Sequence, residues 1–226
     1  MFEREELLIG EKINLLKAKT VLVLGLGGVG GYVTESLVRA GIGHLILVDY
    51  DIVDVTNINR QIIALQSNIG KKKTICFKER IKDINPNCIV DLLDIFYGED
   101  NKDILFNQKI DYIIDCCDSL NSKKILIEES FERNIPIISS MGTGNKFHPE
   151  QFCITTLKKT EYDPLAKKLR FLLKDKKELL NTKVLYSKEK PVPYKGKIGS
   201  ISYVPSVAGL MLSSYVINTF IGENND

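Results

Sequence analysis

A glycine turn between an apolar strand and a helix constrains this chain more than any other feature. The stretch GLGGVGGYV, residues 25–33, follows TVLVL, residues 20–24, and has the pattern Gly-x-Gly-x-x-Gly. Glycine at Gly25, Gly27 and Gly30 lets the backbone turn tightly, approach a phosphate and pack the helix against a sheet. The start of the helix then offers unpaired N–H groups and a partial positive charge to an anion. The turn predicts a nucleotide site, but proteins that use NAD, flavin or ATP all share it.

Apolar runs and helical spacings alternate along the rest of the chain. Strands are predicted over residues 20–24, 44–48, 88–93, 112–115, 136–139 and 152–157, and helices over residues 7–17, 29–40, 70–84, 102–106 and 119–133. This alternation is typical of an α/β fold with a mostly parallel, Rossmann-like sheet and helices on both faces. The apolar segment 204–221 predicts a terminal helix, and we expect antiparallel strands in the same C-terminal extension.

Length, charge and cysteine content narrow the class of protein. The 226 residues favour one domain, with a nucleotide-binding half over 1–145 and an extension over 146–226. The 31 basic and 29 acidic residues nearly balance, so net charge argues neither for nor against a nucleic-acid partner. The five cysteines form no Cys-x-x-Cys pair, so we expect no zinc. The charged N-terminus and the polar-interrupted apolar segments indicate a cytoplasmic protein without membrane association.

The end of the second strand indicates how a nucleotide is held. Asp49 lies about 20 residues beyond the glycines, where a carboxylate binds the ribose of either NAD or ATP. The next segment, DYDIVDVTNINRQ over 49–61, distinguishes the two, because the outer phosphates of ATP require cations. Arg60 offers a planar fork of five donors that suits phosphate oxygens. Asn57 lies three residues earlier and shares the face of Arg60 if this segment is helical.

Two further residues extend this set toward a triphosphate. Lys73, in GKKK at the start of the next helix, adds a cation beside the helix dipole, with Lys71 and Lys72 as adjacent alternatives. Asp118 follows a strand whose C-terminal end lies where such sheets bind ligands, so it is the candidate ligand of Mg²⁺. Cations and a metal-binding acid around one glycine turn favour ATP over NAD.

The order of these motifs resembles a known superfamily. GLGGVGGY, LVDYDIVDVTNINRQI, GKKK, INP and DCCDS follow one another over residues 4–145 as in the ubiquitin-activating-enzyme-like adenylyltransferases (ThiF/MoeB/HesA). Within that superfamily, REELLIGE, ISSMGTGNK, DPLAKKLR, VLYSKEKP and GSISYVPSVAGL resemble the tRNA threonylcarbamoyladenosine dehydratases. This second similarity extends over nearly the whole chain.

The resemblance assigns nucleotide contacts to several residues. The second glycine of the Gly-Gly pair, here Gly28, contacts nucleotide in this superfamily. The strand-end acid Asp49 binds ribose, and Asp51 belongs to the same nucleotide site. The Asn-x-x-Arg-Gln motif places Arg60 on the phosphates, with Asn57 alongside.

The resemblance also implies a shared site between two subunits. Lys73 is the lysine that opens the following helix, and Asp118 is the acid on the metal side. An N-terminal arginine, here Arg4, reaches the phosphates of the neighbouring subunit across a two-fold axis. We therefore expect a homodimer in which Arg60, Lys73 and Asp118 act together with an Arg4 side chain that the second subunit supplies.

The chemistry implied by the resemblance is adenylation followed by ring closure. A carboxylate attacks the α-phosphate of ATP, which releases pyrophosphate and makes an acyl-adenylate. The carboxylate belongs to threonylcarbamoyl-adenosine beside the tRNA anticodon, and a nucleophile in the same modification then displaces AMP with net loss of water. The loop MGTGN is a candidate to line the substrate or a monovalent-cation site, and a sulfur-relay protein is a candidate accessory partner.

A tRNA substrate requires a cationic surface, and one segment of the chain supplies an excess of positive charge. Residues 158–190 hold eleven Lys and Arg against five Asp and Glu, with Lys167, Lys168 and Arg170 spaced for one helix. A solvated lysine-rich helix explains the composition equally well, and only the resemblance favours tRNA.

Three alternatives remain open at the level of sequence. The first is an adenylyltransferase that activates the C-terminal glycine of a ubiquitin-like sulfur carrier, although no cysteine follows Cys153 to receive the acyl group. The second is an NAD-dependent dehydrogenase, and the third is a nucleotide-binding regulatory module without turnover. Cys116 and Cys117 are expected to be buried apolar residues and not catalytic thiols.

Overall fold

One seven-stranded sheet organises the molecule. The structure is a computed structural model that describes residues 1–193, 196 and 198–223. The strands, in chain order, are β1 (Thr20–Leu24), β2 (His44–Val48), β3 (Ile89–Leu93), β4 (Tyr112–Asp115), β5 (Ile137–Ser140), β6 (Phe152–Thr156) and β7 (Lys183–Ser187). Four of the first five, β1, β2, β4 and β5, are short, mostly buried strands that contain Val, Ile or Leu, as expected inside a parallel sheet, whereas β3 at the edge is only partly buried.

Helices connect and cover these strands. The α-helices are α1 (Glu3–Ile9), α2 (Ile13–Lys17), α3 (Gly30–Arg39), α4 (Lys73–Ile84), α5 (Leu120–Glu132), α6 (Pro164–Leu172) and α7 (Tyr203–Ile221). Side chains cap two of them: Ser119 accepts a hydrogen bond from the Ser122 N–H at the start of α5, and Asp163 accepts one from the Ala166 N–H at the start of α6. Gly222 ends α7 in the left-handed conformation, at φ +73°.

The strand order places a crevice at the middle of the sheet. The order is β3-β2-β1-β4-β5-β7-β6, and only the β6–β7 pair is antiparallel. Between β1 and β4 the chain changes the direction in which it adds strands, which is the topological switch point of a Rossmann-like sheet. Ligands bind in such folds beyond the carboxyl ends of the strands at this point, so the fold positions a site next to the glycine turn.

The terminal helix α7 belongs to the core. By length and composition its 19 residues are apolar enough to cross a membrane, but 44% of the most apolar window is buried inside the protein. Its Gly209 packs so closely on α3 that a Cβ there would lie 2.4 Å from the Val29 carbonyl oxygen. The helix therefore stabilises the element that follows the glycine turn.

The Rossmann-like fold predicted from the sequence is confirmed, with two differences in detail. The predicted leading helix over 7–17 is two helices, α1 and α2, because Gly10 at φ +59° and ψ −140° interrupts the helical backbone. The strand β7 has no counterpart among the predicted strands. The predicted C-terminal antiparallel pairing is the β6–β7 pair, and the terminal helix is α7.

Candidate nucleotide-binding cleft

A cleft of about 310 Å³ lies at the switch point. Its lining comes from the carboxyl ends of β1, β2 and β4 and from the loops that follow them. The predicted site residues that line it are Gly25, Gly27, Gly28, Asp49, Asp51, Asn57, Arg60, Lys73 and Asp118. The fold therefore brings together residues that are spread over more than ninety positions of the chain.

The glycine turn is as tight as its sequence predicts. Gly25 has φ +87°, and a Cβ at this position would lie 2.8 Å from the backbone nitrogen of Cys117. Gly30 does not line the cleft; it packs the first turn of α3 on Gly25, where a Cβ would lie 1.8 Å from the Gly25 carbonyl oxygen. Gly27 and Gly28 are thus the glycines of the motif that face both the cleft and the start of α3.

Asp49 is held in place by the backbone around it. Its two carboxylate oxygens accept hydrogen bonds from the Leu26 N–H at 2.6 Å and the Asp51 N–H at 2.8 Å. Burial raises the pKa of Asp49, while Lys73 and the two N–H donors act in the opposite direction. The carboxylate is therefore fixed at the end of β2, with lone pairs left to accept further hydrogen bonds.

Lys73 is a buried cation at the rim of the cleft. It is the first residue of α4, and its ammonium nitrogen lies 2.8 Å from a carboxylate oxygen of Asp51. The side chain of Lys73 is 5% exposed, whereas that of Asp51 is 45% exposed. Of the three lysines in GKKK, the structure places Lys73 in the cleft; Lys72 pairs with Asp94 outside it.

Asn57 ends a short helical turn, and Arg60 lies in the turn that follows, where its backbone N–H donates to the Asn57 carbonyl at 3.1 Å. A 3₁₀ turn over Val55–Asn57 is capped by Asp54, whose N–H donates to the Asn57 side-chain oxygen. The Nη1 atom of Arg60 donates to the Thr56 carbonyl and to the Asn59 side chain, both at 2.9 Å. In the described part of the chain, the Nε and Nη2 atoms of Arg60 have no such partner, so these donors face the cleft without competition.

Asp118 is exposed at the mouth of the cleft, between β4 and α5. The charge of Asp51, then burial, and then the charge of Asp118 raise the pKa of Tyr50. Within the described residues there is no group of three His, Cys, Asp or Glu side chains that holds a metal by itself. One exposed carboxylate fits Mg²⁺, which binds through one or two carboxylates plus substrate phosphates.

Several cleft residues were not predicted from the sequence. Gln61 is buried, and its side-chain oxygen has no hydrogen-bond partner in the described structure. The rings of Tyr50 and Phe96 meet edge to face with centroids 5.1 Å apart, and both line the cleft. Gln61 directly follows the Asn-x-x-Arg motif, and that position in the sequence could have identified it. Phe96 lies in a loop that carries no motif.

A buried ion pair supports the floor of the cleft. Lys123 and Asp115 are both 0% exposed, with the ammonium nitrogen 3.0 Å from a carboxylate oxygen. The Ser139 hydroxyl donates to the same oxygen at 2.5 Å, and the Cys117 N–H donates to the other at 3.1 Å. This network fixes the backbone on which Gly25 packs, and through it the position of the glycine turn.

The glycine-rich loop after β5 contains a lysine ammonium among its oxygens. Lys146 donates to the Gly142 carbonyl and lies 3.3 Å from a carboxylate oxygen of Asp163. That same oxygen accepts a hydrogen bond from the Gly142 N–H at 3.1 Å. Thr143, the next residue, lines the cleft. The monovalent-cation site suggested for this loop stays a prediction, and Lys146 already supplies a positive charge there.

The remaining candidates lie outside the cleft or carry no reactive group. Arg4 is exposed on α1 and does not line the cleft of its own chain. Burial strongly raises the pKa of both Cys116 and Cys117, so neither provides a thiolate near neutral pH. Exposed His148 pairs with Glu150 at 3.0 Å.

Known proteins resemble this chain over most of its length. The sequence model of the ThiF family matches residues 5–226. A tRNA threonylcarbamoyladenosine dehydratase of Bacillus subtilis (strain 168) is 40% identical over 235 residues, which are 96% of this chain and 92% of that protein. The Escherichia coli (strain K12) protein of the same name is 43% identical over 168 residues, which are 74% of this chain and 63% of that protein.

Solved structures of dehydratases with the same name share the fold of this chain. The E. coli tRNA N6-threonylcarbamoyladenosine dehydratase in complex with ATP has a TM-score of 0.93 at 36% sequence identity, and the match covers 98% of this chain and 94% of that chain. The same enzyme in complex with AMP has a TM-score of 0.93 at 35% identity, with the same coverage.

Proposed function

Because the chain belongs to the ThiF family and, within it, to the tRNA threonylcarbamoyladenosine dehydratases, we propose that it adenylates the carboxylate of threonylcarbamoyl-adenosine in tRNA and closes that modification into a ring. The observation that carries the proposal is the cleft itself. A glycine turn, a ribose-binding position and two cations meet at one switch point, in a chain that aligns from end to end with enzymes of this activity.

ATP fits the cleft group by group. The start of α3 and the N–H groups of the turn at Gly27 and Gly28 bind phosphate oxygens. Asp49 accepts hydrogen bonds from the ribose hydroxyls. Arg60, with two nitrogen donors free of partners in the described structure, binds the outer phosphates bidentately. Lys73 adds a second cation beside Asp51.

The reaction needs charge neutralisation and alignment more than it needs a protein nucleophile. The substrate carboxylate oxygen forms a bond to the α-phosphorus, and pyrophosphate leaves with the bonding electrons. Arg60, Lys73 and an Arg4 side chain from a second subunit stabilise the charge that develops on the phosphates. Asp118 would hold Mg²⁺ at the mouth of the cleft, and the ion would neutralise charge on phosphate oxygens. An atom of the same modification then attacks the activated carbonyl, AMP departs, and the net loss is one water.

The tRNA lies against the basic face formed by residues 158–190. Lys167 and Lys168 are exposed on α6, and no ion pair involves either of them in the described part of the chain. Arg170 lies on the same helix but turns inward, where its guanidinium donates to the Leu157 and Thr160 carbonyls. The exposed lysines, and not Arg170, therefore provide the charge for phosphate contacts.

The active form is a homodimer of single-domain subunits in the cytoplasm. Leu7 and Leu8 on α1 are each 84% exposed, and Leu210 on α7 is 46% exposed, which leaves apolar surface for a second copy to cover. A second copy also brings its α1, and with it Arg4, to the neighbouring cleft. The nucleotide-binding half over 1–145 and the extension over 146–226 share one sheet, which supports a single adenylation domain.

Nucleoside mass spectrometry tests this proposal. We expect tRNA that carries threonylcarbamoyl-adenosine to lose one water from that nucleoside when incubated with the protein, Mg²⁺ and ATP, and AMP to be released in equal amount. Omission of ATP, and tRNA that lacks the modification, are the matched controls. An unchanged nucleoside in a sample that still binds ATP contradicts the proposal. Pyrophosphate exchange that depends on a protein ending in Gly-Gly would then indicate sulfur-carrier activation.

A further inference from the structure

Tyr162 has a backbone conformation that its side chain disfavours. It is an aromatic residue at φ 55°, in the left-handed region that glycine and asparagine populate more readily. The other non-glycine residues at positive φ in the described structure are Asn134 and Asn145. A bulky residue keeps such a conformation only where its surroundings hold it there, and strain of this kind is concentrated at functional sites.

The two neighbours of Tyr162 in the chain hold it in this conformation. The Asp163 N–H donates to the Glu161 carbonyl at 2.7 Å, which closes a tight turn around Tyr162, and the Asp163 side chain anchors that turn. The carboxylate of Asp163 is 0% exposed and accepts hydrogen bonds from the Gly142 N–H, from Lys146 and from the Ala166 N–H. The ring of Tyr162 itself is 55% exposed. The fold therefore fixes the backbone at this point firmly and presents an aromatic ring to solvent.

A cation lies beside this side chain, and a second exposed ring lies on the helix that follows. The Lys190 ammonium is 4.7 Å from the centroid of the Tyr162 ring. On α6, which begins two residues later, Lys167, Lys168 and Phe171 share the solvent face at helical spacing, and Phe171 is 67% exposed. The Lys174 ammonium is 4.8 Å from the Phe171 ring centroid. Exposed aromatic rings interleaved with lysines are typical of surfaces that stack unpaired bases and bind the phosphates between them.

The position of this surface relative to the cleft fits the same substrate. Gly142, whose N–H is bonded to Asp163, is followed by Thr143 in the wall of the cleft. The backbone at Tyr162 is therefore connected, through Asp163 and Gly142, to a loop that borders the nucleotide site. This inference rests on the proposed function, which it deepens.

We propose that Tyr162 is a stacking platform for an unpaired base of the anticodon loop, and that Lys190 and the solvent face of α6 bind the adjoining phosphates. Stacking needs an aromatic ring and not a hydroxyl, so Tyr162→Phe retains RNA affinity. Tyr162→Ala raises the Kd for an anticodon stem-loop about tenfold, from the loss of one base–aromatic contact. Tyr162→Gly loses the same affinity while it relieves the positive φ, so its melting temperature equals or exceeds that of the wild type.

The test measures RNA binding separately from turnover. Fluorescence anisotropy with a labelled anticodon stem-loop and with a fully paired duplex of equal length gives the two Kd values at one salt concentration. Phe131→Ala, at an exposed ring in the last turn of α5, is the matched control and binds RNA like the wild type. ATP affinity stays at the wild-type value in all variants.

The outcomes separate the two proposals. Stem-loop affinity that falls in Tyr162→Ala and Tyr162→Gly but not in Tyr162→Phe supports the platform, whether or not the wild type dehydrates the nucleoside. Wild-type affinity in Tyr162→Ala overturns it, and so does an equal loss for the paired duplex. A wild type that binds ATP but no RNA also overturns it and points to a protein partner for this surface. A wild type that dehydrates tRNA while Tyr162→Ala binds RNA normally leaves the proposed function intact.

Discussion

At the scale of the residue, Arg60 is the most informative position in the cleft. We expect Arg60→Ala to lower the rate of nucleoside dehydration about a hundredfold or more, because a charge-assisted contact to the reacting phosphates is lost in a preorganised site. Arg60→Lys keeps the positive charge but loses the planar guanidinium that binds a phosphate through two hydrogen bonds, so it retains only part of the activity. Single-turnover kinetics with modified tRNA measures both rates, and circular dichroism checks the fold. Wild-type turnover in Arg60→Ala would falsify the phosphate assignment.

The residues that sequence reasoning found share a local signature. Asp49 and Asp118 follow apolar strands, and parallel strands deliver their carboxyl ends to one edge of a sheet. The glycines and Arg60 belong to short motifs with fixed spacing. The role of such a residue can be predicted from the sequence, because its position in the fold is set by the strand or helix next to it and not by a distant one.

The residues that sequence reasoning missed depend on tertiary contacts. Lys123 and Lys124 are adjacent in the chain, yet only Lys123 is fully buried, because the fold places Asp115 and Ser139 around it. Lys146 similarly acquires its role from Asp163, seventeen residues away. Spacing alone distinguishes neither lysine from an ordinary solvated one.

At the scale of the element, the contact between α3 and α7 leaves very little room for a side chain. A Cβ on Gly209 would lie 2.4 Å from the Val29 carbonyl oxygen and 2.9 Å from the Cβ of Tyr32. We expect Gly209→Ala to lower the free energy of unfolding by about 1–3 kcal/mol, since overpacking outweighs the gain in helix propensity. It also raises the Kd for ATP, because Val29 directly follows Gly28.

Urea unfolding and ATP titration check this expectation. Ser214→Ala, at an exposed position of the same helix, is the control and leaves both quantities near the wild-type values. A Gly209→Ala protein as stable as Ser214→Ala is incompatible with the close helix packing described above.

Most elements were predictable from local pattern, and the exceptions have physical causes. The strand–helix alternation over 20–139 predicted five strands, because buried parallel strands are short apolar runs with clear breaks between them. The strand β7 was missed because its apolar run, residues 184–186, is short and is flanked by Lys183 and Ser187 in a lysine-rich segment. Gly10 marks the end of α1 in the sequence. The helical spacing of apolar residues continues past Gly10, so one continuous helix was predicted.

At the scale of the whole molecule, the proposed exchange of Arg4 between subunits predicts complementation. We expect Arg4→Ala and Arg60→Ala dimers each to be inactive. Mixed dimers carry one intact site, so co-expression of the two variants recovers roughly a quarter of wild-type activity, as random pairing in a two-fold dimer requires. Dehydration assays on the mixed and single preparations measure the recovery.

A second mixture provides the control. Arg60→Ala and Lys73→Ala both damage the cleft of their own chain, so mixing them recovers no activity. Full activity of Arg4→Ala alone, or a mixture with Arg4→Ala that stays inactive, contradicts the exchange.

The buried carboxylate of Asp163 has a thermodynamic consequence. One of its oxygens caps α6, and the other holds Gly142 beside the cleft. A rigid connection of this kind makes the two surfaces energetically dependent on each other. If RNA on α6 shifts this carboxylate, the affinity for nucleotide changes by some factor, and nucleotide must then change the affinity for RNA by the same factor. One coupling free energy therefore sets both changes in affinity, whichever ligand binds first.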